Sequence, residues 1–223
     1  MKDRIYRYVV RYDAGAAPNP FGGWCSLAIC KPVIRRSALV GDWIIGLRSC
    51  HPDQVIYVMQ VEEILTFAAY WNDPRFADKR PDRCESSDNI YRPDGSGALI
   101  QVPNRAHRSH DVDHDLSGRR VLVGQRFWYF GDLSPELPTE LHHLVHKRQG
   151  HSLPARRRED DGARMLEWLE AWRCGVHGKP LDRYRFQSDL RDPLPRQVSA
   201  AASSQQASRQ FNHQGQPGRP GCA

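Results

Sequence analysis

The feature that most limits the possible folds is a succession of short apolar runs, rich in β-branched and aromatic residues, separated by proline, glycine and aspartate. Such runs predict β-strands, and the residues between them predict turns and loops. The predicted strands cover residues 5–12, 24–30, 43–47, 55–61, 90–91, 98–102, 119–124 and 127–131. We therefore expect a domain built mainly from short strands, with those at 119–124 and 127–131 tightly joined.

Three segments have the pattern of helices. Residues 31–39 begin with Pro32 near the first turn, and residues 66–71 have Thr66 as an N-cap and end before Pro74. Residues 162–174 place large apolar side chains at helical spacing, with Gly175 as the terminating residue. Residues 73–89 are predicted to be a loop. The resulting fold class is α+β, with a strongly bent or barrel-like mixed β-sheet and peripheral helices.

The domain organisation follows from a change in composition near residue 186. The chain has 223 residues, of which 39% are hydrophobic, and this fraction supports a packed core. Beyond residue 186 the sequence turns to Gln, Ser, Ala, Gly and Pro with few apolar anchors. We predict one domain over residues 1–186 and a disordered tail over residues 187–223.

The hydropathy pattern predicts a protein that does not cross a membrane. No apolar run approaches the roughly 20 residues that a spanning helix needs, and mean hydropathy is −0.67. The first residues lack the apolar segment of a secretory signal. We expect a cytoplasmic location.

Charge favours an acidic partner. The sequence has 32 Lys and Arg against 26 Asp and Glu, a net charge of +6, and its pI is near 9.1. Nucleic acid is the commonest partner of such a chain, although this charge also fits plain solubility. The most basic stretch, residues 142–158, contains no carboxylate and predicts phosphate contacts or, alternatively, a solvated loop. Its candidate phosphate-binding residues are Lys147, Arg148, Arg156, Arg157 and Arg158.

Several sequence motifs are absent. There is no P-loop, dinucleotide-binding glycine motif, nucleophile-elbow serine or H-E-x-x-H pattern, which argues against the corresponding enzyme classes. The six cysteines show neither a C-x-x-C pair nor zinc-ribbon spacing, and this predicts reduced, mostly structural thiols.

Two features between the predicted strands could contact a planar ligand. The stiff, proline-rich loop over residues 13–21 presents Asp13, Asn19 and Phe21, and its rigidity would reduce the entropy lost on binding. The loop could equally cap the core. Trp43 follows a Gly-Asp turn and is either a core side chain or a stacking wall for a base.

The densest cluster of titratable residues lies at 107–115 and includes Asp113, His114 and Asp115. Imidazole and carboxylate groups can act as a general acid and base or bind a divalent metal, and Asp13 could join them. The spacing is not diagnostic, so we assign no metal site, and a polar loop with turn-forming aspartates is the alternative. The cofactor is left open.

A series of motifs follows in order along the chain: YVVRYD at 8–13, APNPF at 17–21, CKP at 30–32, VGDWIIG at 40–46, YWNDPRF at 70–76, DNIY at 88–91, DHD at 113–115 and RVLV at 120–123, together with Phe127 and residues 129–131. In these motifs the sequence resembles the second nucleotide modification associated domain of bacteria and bacteriophages. The resemblance implies a pathway that modifies nucleotides or DNA, without naming a reaction. A looser similarity, over residues 24–74, is to PUA-like barrels, some of which read modified bases.

These patterns and the resemblance lead to three functional hypotheses. The first is a domain that binds a modified base or nucleotide through Asn19, Phe21, Trp43 and Arg11, with nucleotide or DNA as the partner. The second is an enzyme acting on nucleotides through Asp113, His114, Asp115 and Asp13. The third is a structural or interaction protein whose aromatic side chains are core. The sequence leaves the oligomeric state open.

Overall fold

The computed structural model of the chain describes residues 4–148, 151–152, 160–182 and 197–198. The strands are β1 (Ile5–Val10), β2 (Cys25–Leu27), β3 (Trp43–Arg48), β4 (His51–Gln60), β5 (Glu63–Leu65), β6 (Tyr91–Pro93), β7 (Leu99–Gln101), β8 (Val121–Gly124), β9 (Phe127–Tyr129), β10 (His151–Ser152), β11 (Gly175–Val176) and β12 (Gln197–Val198). The α-helices are α1 (Pro32–Ser37), α2 (Phe67–Asn72), α3 (Val112–Leu116) and α4 (Asp161–Leu169). Short 3-10 helices span Pro74–Lys79, Ser109–Asp111, Gly131–Leu133 and Thr139–Leu144.

The largest sheet is mixed and has the strand order β10-β1-β3-β4-β9-β11. Strands β1 and β3 are parallel, as are β9 and β11, whereas β4 is antiparallel to both of its neighbours. The register between β3 and β4 shifts next to Gly46. A Cβ at Gly46 would lie 2.4 Å from the Tyr57 ring, so glycine permits this close approach.

Both faces of this sheet are covered, because alternate residues of each strand point to opposite sides. On one side Tyr8 and Ile44 pack with residues of β2 and α1. On the other side Trp43 and Ile45 pack against α4 and the 3-10 helix Thr139–Leu144. The central strands are therefore buried on both faces, which explains their nearly continuous apolar sequence.

A second, antiparallel sheet with the order β2-β8-β5 packs on the first. Leu122 of β8 faces the central sheet, whereas Val121 and Val123 face a third apolar cluster that includes α2, β6 and α3. The third sheet has the order β12-β7-β6. The described residues thus form stacked layers, and two of these layers are the six-stranded sheet and the sheet β2-β8-β5.

The mixed α+β class and most predicted elements are confirmed. Strands β6 and β7 form the expected antiparallel hairpin, and the Thr66 side chain caps α2 by accepting a hydrogen bond from the backbone N–H of Ala69. The helix at 31–39 is present as α1, with Pro32 at its start.

Other predictions are corrected. The sheets of the described residues remain open, so the barrel-like arrangement is wrong, and a PUA-like fold gains no support. Strands β8 and β9 are adjacent in sequence but belong to different sheets, since each finds its partners elsewhere. Helix α4 ends at Leu169, and Gly175 starts β11. The predicted loop at 73–89 contains the 3-10 helix Pro74–Lys79.

The predicted disordered tail lies outside the described residues, except for β12, whose backbone pairs with β7. None of the helices in the described part of the chain combines the length and the hydropathy of a membrane-spanning segment.

Candidate functional site

Three side chains from separate segments form a connected chain of contacts. The Sγ of Cys30 lies 3.1 Å from Nε2 of His107, and Nδ1 of the same imidazole lies 2.5 Å from Oδ2 of Asp115. Asp115 is fully buried, whereas Cys30 is only partly buried. The order thiol, imidazole, carboxylate is the arrangement that activates a cysteine nucleophile.

Cys30 lies between β2 and α1, and local backbone geometry fixes its position. Its φ is +58° and that of Lys31 is +40°, so two consecutive non-glycine residues are left-handed. Such a conformation is unfavourable for residues with a Cβ and persists only where the surroundings impose it. Pro32 then starts α1 at once. This sharp turn presents the thiol outside the regular elements.

His107 is positioned by a turn that Asn104 organises. The Oδ1 of Asn104 accepts hydrogen bonds from the backbone N–H groups of Ala106, at 2.9 Å, and His107, at 2.8 Å. Asn side chains stabilise such turns by replacing a backbone acceptor. The His107 side chain is 13% exposed, so it is close to solvent while its orientation is fixed.

Asp115 is held by three donors on its carboxylate. Its Oδ1 accepts the backbone N–H of Cys30 at 2.8 Å, and its Oδ2 accepts the Tyr91 hydroxyl at 2.9 Å in addition to the His107 contact. A buried carboxylate with several donors is fixed in position. Asp115 therefore orients the imidazole and also ties the Cys30 backbone to α3.

Arg35 connects the two ends of the site from α1. This buried guanidinium donates to the backbone carbonyl of Cys30 at 2.7 Å, to that of Arg120 at 2.9 Å and to that of Asp115 at 2.5 Å. Its Cζ also lies 5.5 Å from the centre of the Phe67 ring. Because one rigid group contacts the backbone of both Cys30 and Asp115, it sets the distance between their segments.

The electrostatics favour a protonated His107. Burial lowers its pKa, but the hydrogen bond to Asp115 and the contact with Cys30 outweigh burial and raise the pKa to about 11. Burial raises the pKa of Tyr91, and the neighbouring Asp115 raises it further, so this phenol stays a donor.

A cavity of about 210 Å³ opens at Cys30 and His107. Its walls are largely apolar, and Lys31 and Arg11 add positive charge to that of His107. The Lys31 Nζ lies 4.6 Å above the centre of the Tyr8 ring, and burial lowers the pKa of this amine. Tyr12, 49% exposed, stands at the same cavity. A substrate group that enters the cavity would therefore contact the thiol of Cys30, the imidazole of His107 and the amine of Lys31.

Comparison with known protein families identifies the chain. A family model described as Nucleotide modification associated domain 2 matches residues 2–188, which include every described residue of the site. The chain belongs to this family. No curated protein and no solved structure gives a significant match. The family description links the chain to nucleotide modification.

In this member of the Nucleotide modification associated domain 2 family, two of the residues predicted to contact a base, Trp43 and Asn19, lie in the interior. Trp43 is 3% exposed and stacks on Trp128, with ring centres 6.4 Å apart, while Arg126 covers it. Asn19 is fully buried, and its Oδ1 accepts the Nζ of the buried Lys79 at 2.8 Å. Each side chain takes part in core packing or in hydrogen bonds between buried polar groups, and a base contact by either one stays a prediction.

The other predicted residues fall into different places. Arg11 is exposed at the Cys30 cavity, whereas Phe21 is half-buried at a second cavity of about 530 Å³. Lys147 and Arg148 are exposed. The predicted phosphate contacts Arg156, Arg157 and Arg158 lie outside the described residues.

The residues of the enzyme hypothesis, Asp113, His114, Asp115 and Asp13, lie in different environments in the structure. Asp113 and His114 are exposed on α3, and only Asp115 reaches the interior, because successive helical residues point about 100° apart. Asp13 instead accepts the Tyr129 hydroxyl at 2.6 Å. Within the described residues no group of three or more His, Cys, Asp or Glu side chains is arranged to hold a metal ion.

The predicted site residues do not include Cys30 or His107, which the structure brings into contact. Cys30 was available in the CKP motif, and His107 starts the titratable cluster. The prediction of mostly structural thiols holds for the fully buried Cys25, but Cys30 contacts His107 and Cys50 is disulfide-bonded. The missing signal is the spatial contact, since 77 residues separate the thiol from the imidazole.

Proposed function

We propose that this chain is a nucleotide-modifying enzyme in which Cys30 is the nucleophile, His107 the acid and base, and Asp115 the group that orients the imidazole. The observation that carries the proposal is the continuous contact from the thiol through both imidazole nitrogens to a buried carboxylate, at the mouth of a cavity. The family description indicates the process in which the substrate takes part, which is nucleotide modification.

The reaction class that fits these groups is addition of sulfur to an unsaturated carbon. The Cys30 thiolate forms a bond to a carbonyl or amidine carbon, and the π electrons move onto its oxygen or nitrogen. When the tetrahedral species collapses, the C–N or C–O bond to the leaving group breaks and His107 donates its proton to that group. Water or an amine, activated by the now neutral His107, then releases the carbon from sulfur.

Lys31 is positioned to stabilise the charge that develops on the attacked group. Its ammonium lies against the Tyr8 ring at the cavity that contains Cys30, and among the described residues no carboxylate forms a salt bridge with it. A fixed cation near a developing oxyanion acts most strongly where water is partly excluded.

Alkylation of the thiols tests this proposal. With iodoacetamide near neutral pH and peptide mass spectrometry, Cys30 should react at least about tenfold faster than Cys84, because Cys30 contacts the His107 imidazole at an open cavity whereas burial raises the pKa of Cys84. His107→Gln should slow the reaction of Cys30 and leave that of Cys84 unchanged. Equal rates for the two thiols, or no effect of the substitution, would contradict the proposal.

A matched pair of variants assigns the chemistry. Cys30→Ser removes the nucleophile with little change in size, whereas Cys84→Ser removes a half-buried thiol at the second cavity. An electrophilic nucleoside, such as a chloroacetamido derivative, should form a covalent adduct with the wild type and Cys84→Ser but not with Cys30→Ser. If Cys30→Ser also forms the adduct, the nucleophile is a residue other than Cys30.

The second candidate function is binding of a modified base or nucleotide without chemistry. The half-exposed Tyr12 ring and the cation of Arg11 at the Cys30 cavity favour it, since aromatic and guanidinium faces stack on bases. Thermal unfolding with canonical and modified nucleotides and short DNA separates the two functions. A nucleotide that raises the melting temperature of wild type and Cys30→Ser equally, and is recovered unchanged, favours binding.

A further inference from the structure

The cavity at Cys30 is smaller than a typical ligand pocket. Its volume of about 210 Å³ is below the roughly 300–1,000 Å³ of typical ligand pockets. If Cys30 acts as proposed above, only the reacting part of the substrate enters this cavity. The rest of the molecule must contact a neighbouring surface.

The second cavity adjoins the first. It measures about 530 Å³, and Arg105 forms part of its wall, whereas the next residues, Ala106 and His107, line the Cys30 cavity. Ser86 lines the larger cavity, and its hydroxyl donates at 2.8 Å to the carbonyl of Ala14, which lines the smaller one. The two cavities therefore share the 105–107 segment and the loop around Ala14.

The lining of the larger cavity is cationic. Arg83, Arg105 and Lys179 face one acidic residue, Glu85. Glu85 pairs with Arg105 at 2.5 Å, and Arg83 pairs with Asp78 at 3.1 Å, but both acidic side chains are largely exposed. Exposed ion pairs contribute little, so a phosphate can replace these carboxylates at small cost. Lys179 forms no salt bridge within the described part of the chain.

The wall that carries Lys179 is rigid. The backbone N–H of Lys179 donates to Oδ1 of Asp132 at 2.7 Å, and the N–H of Asp132 donates to the Lys179 carbonyl at 2.9 Å. Asp13 and Asp182 exchange a similar pair, each at 2.8–2.9 Å. A Cβ at Gly178 would lie 1.8 Å from the carbonyl oxygen of Phe130, so this segment packs directly on the fold. Such fixed backbone lowers the entropy lost when a ligand binds.

We propose that the larger cavity binds the phosphate groups of the nucleotide whose reacting part contacts Cys30. Arg83, Arg105 and Lys179 supply the charge, with bidentate contacts available from the guanidinium groups. Phe21 supplies an apolar face at the same cavity. The substrate class is thus a phosphorylated nucleotide or a nucleotide within DNA, in preference to a free base.

Calorimetric titration with inorganic pyrophosphate at low salt tests the site directly. The wild type should bind, and a double variant, Arg105→Gln with Lys179→Gln, should lose at least about tenfold in affinity because two charge-assisted contacts disappear. Arg92→Gln, an exposed substitution on β6, is the matched control and should bind as the wild type does. Absence of binding to the wild type, or equal affinity of the double variant, would overturn the proposal.

A protection experiment connects the two cavities and separates their failures. Thymidine monophosphate should slow iodoacetamide labelling of Cys30 in the wild type more than thymidine does, and this difference should vanish in the double variant. Pyrophosphate should still bind Cys30→Ser. If pyrophosphate binds but Cys30 is unreactive, the catalytic proposal fails and the phosphate site stands. A reactive Cys30 in a protein that does not bind pyrophosphate overturns the phosphate site alone.

Discussion

Cys25 and Cys30 are close in sequence but differ in environment. Cys25 is fully buried, and burial raises its pKa to about 12, which makes it an inert core thiol. Cys30 lies at a cavity and contacts an imidazole whose other nitrogen is bound to a buried carboxylate. The difference in expected reactivity comes from the neighbouring charge and the access to solvent, since the side chains are identical.

The pH dependence of stability should report the His107 contacts. Its pKa rises from an ordinary 6.5 to about 11 in the folded chain, so the protonated form is stabilised by folding. This contribution is complete below pH 6.5, decreases by up to about 1.4 kcal/mol per pH unit above it, and is lost as the pH passes through about 11. Urea unfolding of the wild type and His107→Gln at several pH values should show a difference that shrinks as the pH rises.

Comparison with the variant removes from this measurement the titrating groups that do not contact His107, since both proteins share them in the same environment. A difference in unfolding free energy that stays constant from about pH 6 to pH 10 would mean that His107 is not protonated in the folded state.

At the scale of elements, the site depends on how α1 and α3 meet. Each is short, with six and five residues, and neither would be stable alone. Arg35 of α1 contacts the backbone of Asp115 in α3, and Gly118 follows α3 directly beneath the guanidinium. The absence of a side chain at Gly118 is what allows Arg35 to reach three carbonyls.

Gly118→Ala should therefore disturb the site through Arg35. The new Cβ would lie 2.4 Å from the Arg35 Cζ, so the guanidinium must shift. We expect a loss of about 1–3 kcal/mol in unfolding free energy and slower alkylation of Cys30. Gly162→Ala in α4 is the control, because nothing lies within 4 Å of its Cβ, and it should be neutral or stabilise by up to about 1 kcal/mol. Unchanged Cys30 reactivity in Gly118→Ala would show that Arg35 does not position the thiol.

At the scale of the whole molecule, both faces of the central sheet are covered by packed elements, and the two cavities lie mostly among loops. Helix α4 and the 3-10 helix Thr139–Leu144 cover one face of the central sheet, while β2, α1 and their neighbours cover the other. Apart from Tyr8 and Val10 of β1 and Val176 of β11, both cavities are lined by residues that connect or follow the regular elements, including Cys30 after β2 and Lys179 after β11. The sheets thus provide a rigid support, and the two cavities lie mostly among loops.

The net charge of +6 predicts weak, salt-dependent binding to DNA by the whole chain. The exposed Lys147 and Arg148 belong to its most basic stretch. If they contact phosphates, replacing both by Gln should reduce the slope of log affinity against log salt by about 0.9 for each lost contact. Fluorescence anisotropy with a short duplex over a series of salt concentrations measures this slope. An unchanged slope would assign the basic stretch to solubility.

The sequence alone determined most local structure and the apolar pattern. Strands, the β6–β7 hairpin, the Thr66 cap and the start of α1 at Pro32 follow from neighbouring residues, because turn chemistry, capping and side-chain periodicity are local effects. The family motifs likewise indicated nucleotide modification, which the match over residues 2–188 supports.

The pairing of the strands and the contacts between distant side chains depend on how the whole chain packs. Strands β8 and β9 join different sheets, and Trp43 and Asn19 turn inward, because these outcomes depend on packing between distant segments. Cys30, His107 and Asp115 come from a strand-to-helix turn, an Asn104 turn and helix α3. No pattern along the chain encodes contact across 77 residues, so the site exists only once the layers have packed.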